Sequence, residues 1–471
     1  MKKFFKSLAL ILLVLPAMFI FTACGTPTVI DIQKTNTTEA GTVYTIYYSN
    51  GTTSSITVQN GKDGQSIDVE ALFQLGVTKG YYTDDLTGYQ KFLTDLVNGS
   101  ANEITAEAGV GKAMQSAVSV YAKFPVNSHS YPYYESEILC GAGVIYKMDN
   151  EYSYIITNYH VLYDGSSLNS TGYPEEVYIY QYGVDVSIQL VDKDYVIGGA
   201  AVKCSYIGGS MNFDIAVLRA NTADLIANNA NTRAVDVATG YSVSETIYAI
   251  GNPEGEGISV TKGIVSVESE TVEITAADGN SDINFRVLRM DTAINGGNSG
   301  GGVYNQNGEL VGIANAKLVY ASDKTPIEGM SYALPYDNVT KVADNIMHYY
   351  AEQNSFSNVL KLQLGITYKT QNSKQIYNVN GSLSIVDEIA VTESPKANTI
   401  AYEIGLKQGD IITHLTINDK IYVINRSFEL GDLLLTVRSG DKIVITYTRN
   451  GESNLNSGAH TVTSTEFKEI S

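Results

Sequence analysis

Asp291-Thr292-Ala293-Ile294-Asn295-Gly296-Gly297-Asn298-Ser299-Gly300-Gly301 sets a serine in a run of glycines, and its meaning depends on what stands upstream. Alone, Gly-Asn-Ser-Gly is an ordinary loop. Upstream, Asn212-Phe213-Asp214-Ile215-Ala216-Val217-Leu218 carries one carboxylate into an apolar strand, where an unpaired charge is costly unless hydrogen-bonded. Further back, Tyr154-Ile155-Ile156-Thr157-Asn158-Tyr159-His160-Val161-Leu162 reads as a buried strand running directly into a histidine. Cys140-Gly141-Ala142-Gly143-Val144-Ile145 offers it a partner strand whose glycines permit close backbone packing. This Gly-x-Gly is no dinucleotide signal, because the third glycine and the helix after it are missing. His160, Asp214 and Ser299 therefore follow one another at gaps of 54 and 85 residues, each beside or at the end of an apolar strand. The other histidines lack such surroundings. His129 lies in a Ser/Tyr/Pro loop, His348 on a helical segment, His414 inside an alternating strand pattern and His460 near the C-terminal end. No histidine pair has zinc spacing and there is no HExxH, so neither a metal nor a cofactor is expected.

The order His, Asp, Ser is that of chymotrypsin-like double β-barrel proteases and differs from that of subtilisins and α/β-hydrolases. A free hydroxyl is too weak a nucleophile unless a base takes its proton. Ser299 Oγ is the expected nucleophile, His160 the base and then the acid that protonates the leaving amine. Asp214 would fix the imidazole tautomer and stabilise its cation. At this point the sequence resembles the HtrA family of trypsin-like serine proteases. The motifs are Thr157-Asn158-Tyr159-His160-Val161, Asp214-Ile215-Ala216-Val217, Ala249-Ile250-Gly251-Asn252-Pro253 and Gly297-Asn298-Ser299-Gly300-Gly301, extended by Leu310-Val311-Gly312-Ile313 and Tyr332-Ala333-Leu334-Pro335. The resemblance covers about 110–350 and continues into a PDZ domain over 359–450, on Leu364-Gly365-Ile366, Ser394-Pro395 and Gly405-Leu406-Lys407-Gln408-Gly409-Asp410-Ile411-Ile412.

The resemblance implies an oxyanion hole from the N–H groups of Gly297 and Ser299. It puts Ala293, six residues before the nucleophile, at the base of the primary pocket, with Ile294, Ile313, Ala314 and Asn315 making that pocket small and apolar. Cleavage after Val, Ala or Leu in unfolded or extended polypeptide would follow. In the PDZ domain, backbone N–H groups near Gln363, Leu364, Gly365 and Ile366 would receive the terminal carboxylate of a chain end bound by strand addition. Homotrimeric assembly is what relatives suggest. Gly296 and Gly302 replace prolines usual in the family, so the oxyanion loop is expected to stay loose until substrate or an activator orders it. Gln363 stands where an aromatic residue is common, and Ser266 to Arg286, acidic and then Gly/Asn/Asp-rich, corresponds to a regulatory loop region. The alternative from another class is a non-catalytic peptide-binding or chaperone-like surface protein on the same fold.

Composition bounds the rest. The chain has 471 residues, 44% hydrophobic and 17% charged, with 42 Gly, 34 Tyr and no Trp, which suits about three mainly β domains. Its charge of -19 and its lack of basic runs exclude nucleic acid as the expected partner. Residues 1–23 read as a lipoprotein signal peptide: Lys2, Lys3 and Lys6, an apolar core too short to span a bilayer, then Thr22-Ala23-Cys24. Cleavage before Cys24 and lipidation of its sulfur would hold the protein to the outer face of the cell membrane and remove three lysines, taking the charge from -19 to -22. Residues 24–109 are expected to be a spacer module with a β-hairpin around Asn50-Gly51 and short helices over Asp68–Leu75 and Gly88–Val97. The protease domain is expected over 110–352 and a polar tail over 451–471; whether Cys140 and Cys204 pair is open.

Overall fold

The computed structural model describes residues 29–38, 41–48, 53–59, 69–78, a few positions from 82 to 92, then 106–126, 134–165, 167, 171–317, 329–377 and 383–470. The signal segment, Cys24, the Asn50-Gly51 turn and His129 lie outside the described residues. Two compact units divide after residue 105.

In the first unit, β1 (Val29–Thr38), β2 (Gly41–Tyr48) and β3 (Thr53–Gln59) form an antiparallel sheet, with Tyr47 opposite Thr53. Helix α1 (Val69–Thr78) places Phe73 in an aromatic cluster with Tyr82, Tyr89 and Phe92, the Phe73 and Tyr89 rings meeting edge-on at 4.9 Å. Phe73 and Phe92 are buried, so this module has its own small core.

The second unit begins at α2 (Ala106–Met114), a few residues before the boundary expected from sequence. Alternation of apolar residues then builds β4 (Ala117–Pro125), β5 (Ser136–Met148), β6 (Tyr152–Thr157), β7 (Glu176–Gln181), a separate hairpin of β8 (Val186–Val191) and β9 (Asp194–Gly199), and finally β10 (Val202–Ser210) and β11 (Ile215–Asn221). Six of these strands run in the order β11-β6-β5-β4-β7-β10, and pairing of β11 with β10 closes them into a barrel. Val120, Ile145, Ile155, Ile179 and Leu218 fill its interior. After α3 (Thr222–Asn228), β12 (Asp236–Val237), β13 (Thr246–Gly251), β14 (Ser259–Thr275), β15 (Asp282–Met290), β16 (Gly302–Asn305), β17 (Glu309–Lys317) and β18 (Ser331–Pro335) form the second sheet. Its order β17-β16-β13-β14-β15-β18 closes through β17 and β18 around Ile247, Val265, Leu288 and Val303. The stretch Ser266 to Arg286, expected to be a loop, is instead most of the β14–β15 ribbon, turning between Thr275 and Asp282. Buried Ile283, Phe285 and Val287 give that ribbon a core face, which its acidic composition hid.

Helix α4 (Tyr336–Gln353) turns Val339, Val342, Ala343 and Ile346 into the cleft core that both barrels share. The chain continues through β19 (Ser357–Leu362), β20 (Tyr368–Tyr377), β21 (Leu383–Val391), α5 (Ile400–Glu403), β22 (Ile411–Ile417), β23 (Lys420–Val423), α6 (Ser427–Leu433) and β24 (Lys442–Arg449). Residues 451–471, expected to be a tail, hold β25 (Glu452–Asn456), β26 (His460–Thr461) and β27 (Phe467–Ile470). Val462 is 2% exposed and Phe467 packs on the C-terminal core, apolar anchors that the surrounding Ser, Thr and Glu masked. Strand β19 is shared: it runs parallel to β10 of the first barrel and antiparallel to β27. Cys140 and Cys204 are free thiols on β5 and β10, with β4 and β7 between them in the sheet. Among the described residues no helix is long and apolar enough to cross a membrane, and no His, Cys, Asp and Glu cluster could hold a metal ion.

A charged clasp joins the second barrel to the C-terminal region. Arg286 on β15 donates through Nη2 to Asp337 Oδ2 at 2.7 Å and to Asp432 Oδ2 at 2.9 Å, and its guanidinium lies 3.9 Å from the centre of the Phe428 ring. Asn338 Nδ2 donates to the other Asp432 oxygen. Burial pushes the Asp432 carboxyl above its usual range even though Arg286 pulls it down. Removing one partner of such a buried set leaves charges uncompensated, so Arg286→Ala is expected to lower unfolding stability by about 3–5 kcal/mol in urea titration. A change under 1 kcal/mol would mean the clasp is solvated.

Candidate active site

Each of the three sequence-singled residues sits where a strand ends at the junction of the barrels. His160 follows β6 in a 3₁₀ turn, Tyr159–Val161, whose flanking residues Tyr159 and Val161 are buried. Asp214 precedes β11 in a left-handed conformation, φ 48°, that aspartate tolerates better than most residues. Its N–H donates to Met211 O and its carbonyl accepts from Asn158 Nδ2 at 2.8 Å, so the strained turn is held from both sides. Ser299 ends the loop that runs from β15 to β16.

The Asp214 carboxylate is 4% exposed and accepts three hydrogen bonds. The His160 backbone N–H reaches Oδ1 at 2.9 Å, and His160 Nδ1 reaches Oδ2 at 2.7 Å. The third comes from Asn315 Nδ2 on β17, in the other barrel. Burial lowers the basicity of His160, but the Asp214 charge and hydrogen bond outweigh it and leave the imidazole above its ordinary pKa. With Nδ1 committed to Asp214, Nε2 is the free ring nitrogen, and the side chain is 37% exposed, enough for a substrate to reach. Ser299 Oγ donates to Asn315 O at 3.1 Å, and among the described residues it makes no hydrogen bond to His160. Asn315, placed in the substrate pocket from sequence, thus touches Asp214 with its side chain and Ser299 with its carbonyl.

Backbone hydrogen bonds run along the serine loop. Glu254 N–H donates to Gly296 O, Asn252 N–H to Gly297 O, Asn298 N–H to Asn295 O, Gly300 N–H to Ala314 O, Gly301 N–H to Asn298 O and Ala142 N–H to Ser299 O. The N–H groups of Gly297 and Ser299 donate to nothing among the described residues, while that of Asn298 between them is used. Glycine serves close approach here more than freedom. At Gly297, φ 87°, a Cβ would run into Asn252 O, and at Gly300, φ 85°, into Ala142 O. Gly302 is likewise hemmed in by the Tyr304 ring; Gly296 alone of the two unusual glycines is open. Asn252, fully buried, ties the loop to the first barrel: Nδ2 donates to Tyr121 Oη and Gly141 O, and Oδ1 accepts from Gly257 N–H. Its Ala-Ile-Gly-Asn-Pro setting was the only sequence signal for this role.

The five residues named for the apolar pocket have different surroundings. Ile313 belongs to the shared core, Ile294 and Ala314 to the second-barrel core, and Asn315 faces Asp214, which leaves Ala293 exposed. In the C-terminal region, Leu364 is buried and Ile366 packs on the same core, while Gln363 and Gly365 are exposed. Gln363 N–H is already taken by Glu466 O, so it is no free donor for a carboxylate. Gly365 has φ 78°, and the N–H groups of Leu364, Gly365 and Ile366 are uncommitted among the described residues.

Comparison with known proteins matches residues 141–313, which contain His160, Asp214 and Ser299, to the trypsin-like peptidase domain. The chain is 28% identical over 322 residues to the serine protease Do-like HtrA of Lactococcus lactis, covering 67% of this chain and 68% of that protein. It is 30% identical over 326 residues to the serine protease Do-like HtrA of Bacillus subtilis, covering 68% of this chain and 62% of that one. Superposition on the serine endoprotease from Yersinia pestis gives a TM-score of 0.41 at 24% identity, over 77% of this chain and 98% of that one. Two closed barrels, a trypsin-like peptidase match that spans the serine loop and HtrA relatives along two thirds of the chain agree: the chain is a serine endopeptidase belonging to the HtrA family of trypsin-like proteases.

Proposed function

We propose that this protease cleaves misfolded or exported polypeptides at the outer face of the cell membrane, with Ser299 as nucleophile, His160 as base and Asp214 as its orienting carboxylate. The observation that carries the reading is the buried Asp214–His160 pair, 2.7 Å apart, beside a serine whose loop leaves two amides free. In the resting arrangement the Ser299 hydroxyl points at Asn315 O, so attack requires a rotation about χ1 toward Nε2. His160 then takes the proton as Oγ adds to the scissile carbonyl, and the cation that forms is stabilised by Asp214. The tetrahedral oxyanion would be met by the N–H groups of Gly297 and Ser299, each such donor lowering the barrier by about 2.7–4 kcal/mol. His160 next protonates the leaving amine, and water repeats the sequence on the acyl-enzyme. Residues 359–450 act as a PDZ domain that holds chain ends, the loop around Gly365 receiving the carboxylate, and lipid on Cys24 anchors the chain.

A fluorophosphonate probe is expected to label the intact protein and to fail on Ser299→Ala. No labelling of the unmodified chain under any activating condition would leave the non-catalytic, chaperone-like reading in place. The raised pKa of His160 sets a pH dependence, because only neutral imidazole can accept the serine proton. kcat/KM should fall as pH drops through a value above that of an ordinary histidine. Asp214→Asn removes the charge that raises it and leaves burial, so the acid limb should move to lower pH while kcat drops about 10⁴-fold. Asn315→Ala removes a donor from the carboxylate, which makes Asp214 a stronger partner for His160 and should move the same limb to higher pH. An unchanged limb in both variants would remove His160 from the base role.

A further inference from the structure

The serine loop is held between two flanks. On one, Gly300 N–H donates to Ala314 O and Ala314 N–H to Gly301 O, which ties the loop to β17. On the other, Asn252 N–H donates to Gly297 O and Glu254 N–H to Gly296 O at 2.8 Å, which ties it to the turn Pro253–Gly255 after β13. That turn rests on the first barrel. A Cβ at Gly255 would lie 3.2 Å from Cys140 Sγ, and one at Gly141, the next residue of β5, would meet both Val161 and Ser299 O. The turn that carries Glu254 thus stands on the flank shared with β5 and with the residue after His160. In the proposed mechanism this imidazole hands a proton to the leaving amine, so the departing half of the substrate passes along that flank.

Glu254 and Gly296 are both exposed. A Cβ at Gly296 would meet nothing within 4 Å except Glu254 Oε1, at 3.6 Å, so the carboxylate borders open space. Gly296 directly precedes Gly297, whose N–H is one of the two uncommitted amides of the loop. Among the described residues no cation pairs with the Glu254 carboxylate and no donor reaches it. Its backbone is left-handed, φ 56°, which side chains rarely adopt, and the hydrogen bond from its own N–H to Gly296 O keeps it beside the loop. A free carboxylate so close to the reacting centre attracts a substrate cation and repels an anion. An extended substrate rises about 3.3 Å per residue, and the four-carbon stem of lysine reaches back over one or two such steps.

We propose that Glu254 is a specificity-determining residue of the cleavage reaction, recognising the cationic side chain of a Lys or Arg that stands first or second after the scissile bond. This deepens the proposed reaction and rests on the reading of Ser299 and His160 as the reacting pair.

The test uses the full chain and internally quenched decapeptides with one Val as the cut site, each cut being located by mass spectrometry. Lys, Gln or Glu is placed in turn at the three positions after the Val and the two before it. kcat/KM should be about two- to fivefold higher for Lys than for Gln at the first or second position after the cut, the range of an exposed ion pair, with Glu below Gln. Salt at about 1 M should flatten that order. Glu254→Gln keeps the size of the side chain and should bring the Lys peptide down to the level of the Gln peptide. Glu254→Lys should reverse the order, so that the Glu peptide is cleaved fastest; a variant that folds poorly lowers all peptides together and reorders none. Absence of a Lys preference after the cut, a preference confined to other positions, or one that survives Glu254→Gln would overturn the inference. Fluorophosphonate labelling of the same preparations separates that result from failure of the mechanism. Protein that labels at Ser299 and cleaves without this order loses the inference alone, whereas protein that neither labels nor cleaves loses both.

Discussion

A single buried carboxylate organises this molecule. Asp214, 4% exposed, accepts from three donors, and they come from different places: two from the turn after β6 and one from Asn315 on β17. The first pair lies in one barrel, the third in the other. The charge is therefore solvated by protein only when the barrels are correctly apposed, and the same apposition carries the carbonyl of Asn315 to the Ser299 hydroxyl. Geometry at the serine is a by-product of satisfying an aspartate. That is why the turn can carry a left-handed Asp214, whose strain is small beside the cost of an unpaired charge in the barrel junction.

Residue order and spacing made the double barrel and the His160, Asp214 and Ser299 positions legible, because each lies at a strand end and strand ends show in the alternation of apolar residues. The serine loop was less legible. Its glycines looked like conformational freedom, whereas at Gly297, Gly300 and Gly302 they mark places where carbonyl oxygens or a tyrosine ring leave no volume for a side chain. Sequence cannot distinguish a glycine that bends from one that makes room. The contact of Asn315 with Asp214 was hidden for a related reason: a strand pattern says which residues alternate, but not which face of β17 turns toward the other barrel. The strands of residues 452–470 were missed because their anchors, Val462 and Phe467, are sparse and their neighbours polar.

The second barrel and the C-terminal region meet at a charged clasp that stacks on an aromatic ring. Phe428 lies against the guanidiniums of both Arg286 and Arg426, and Arg426 also donates to Asp387 at 3.3 Å. Arginine suits this role, since its flat cation can stack on a ring while its edge forms hydrogen bonds. The β14–β15 ribbon, long and acidic, supplies Arg286 on one strand and Glu268, 3.8 Å from Arg426, on the other. The strand that carries Arg286 runs on into the loop that ends at Ser299.

Strand β19 gives the fold a particular history. Its pairing joins Gly208 in the first barrel to Ser357, and then Val359 to Ile470. Ile470 follows Val359 by 111 residues in sequence, so the ladder closes only after the whole region between them is available. Until then the open side of β10 presents unpaired backbone groups, a surface on which another unfinished chain could pair. The backbone groups that hold β19 in the finished sheet are thus the same ones that an incompletely folded copy would offer to another chain.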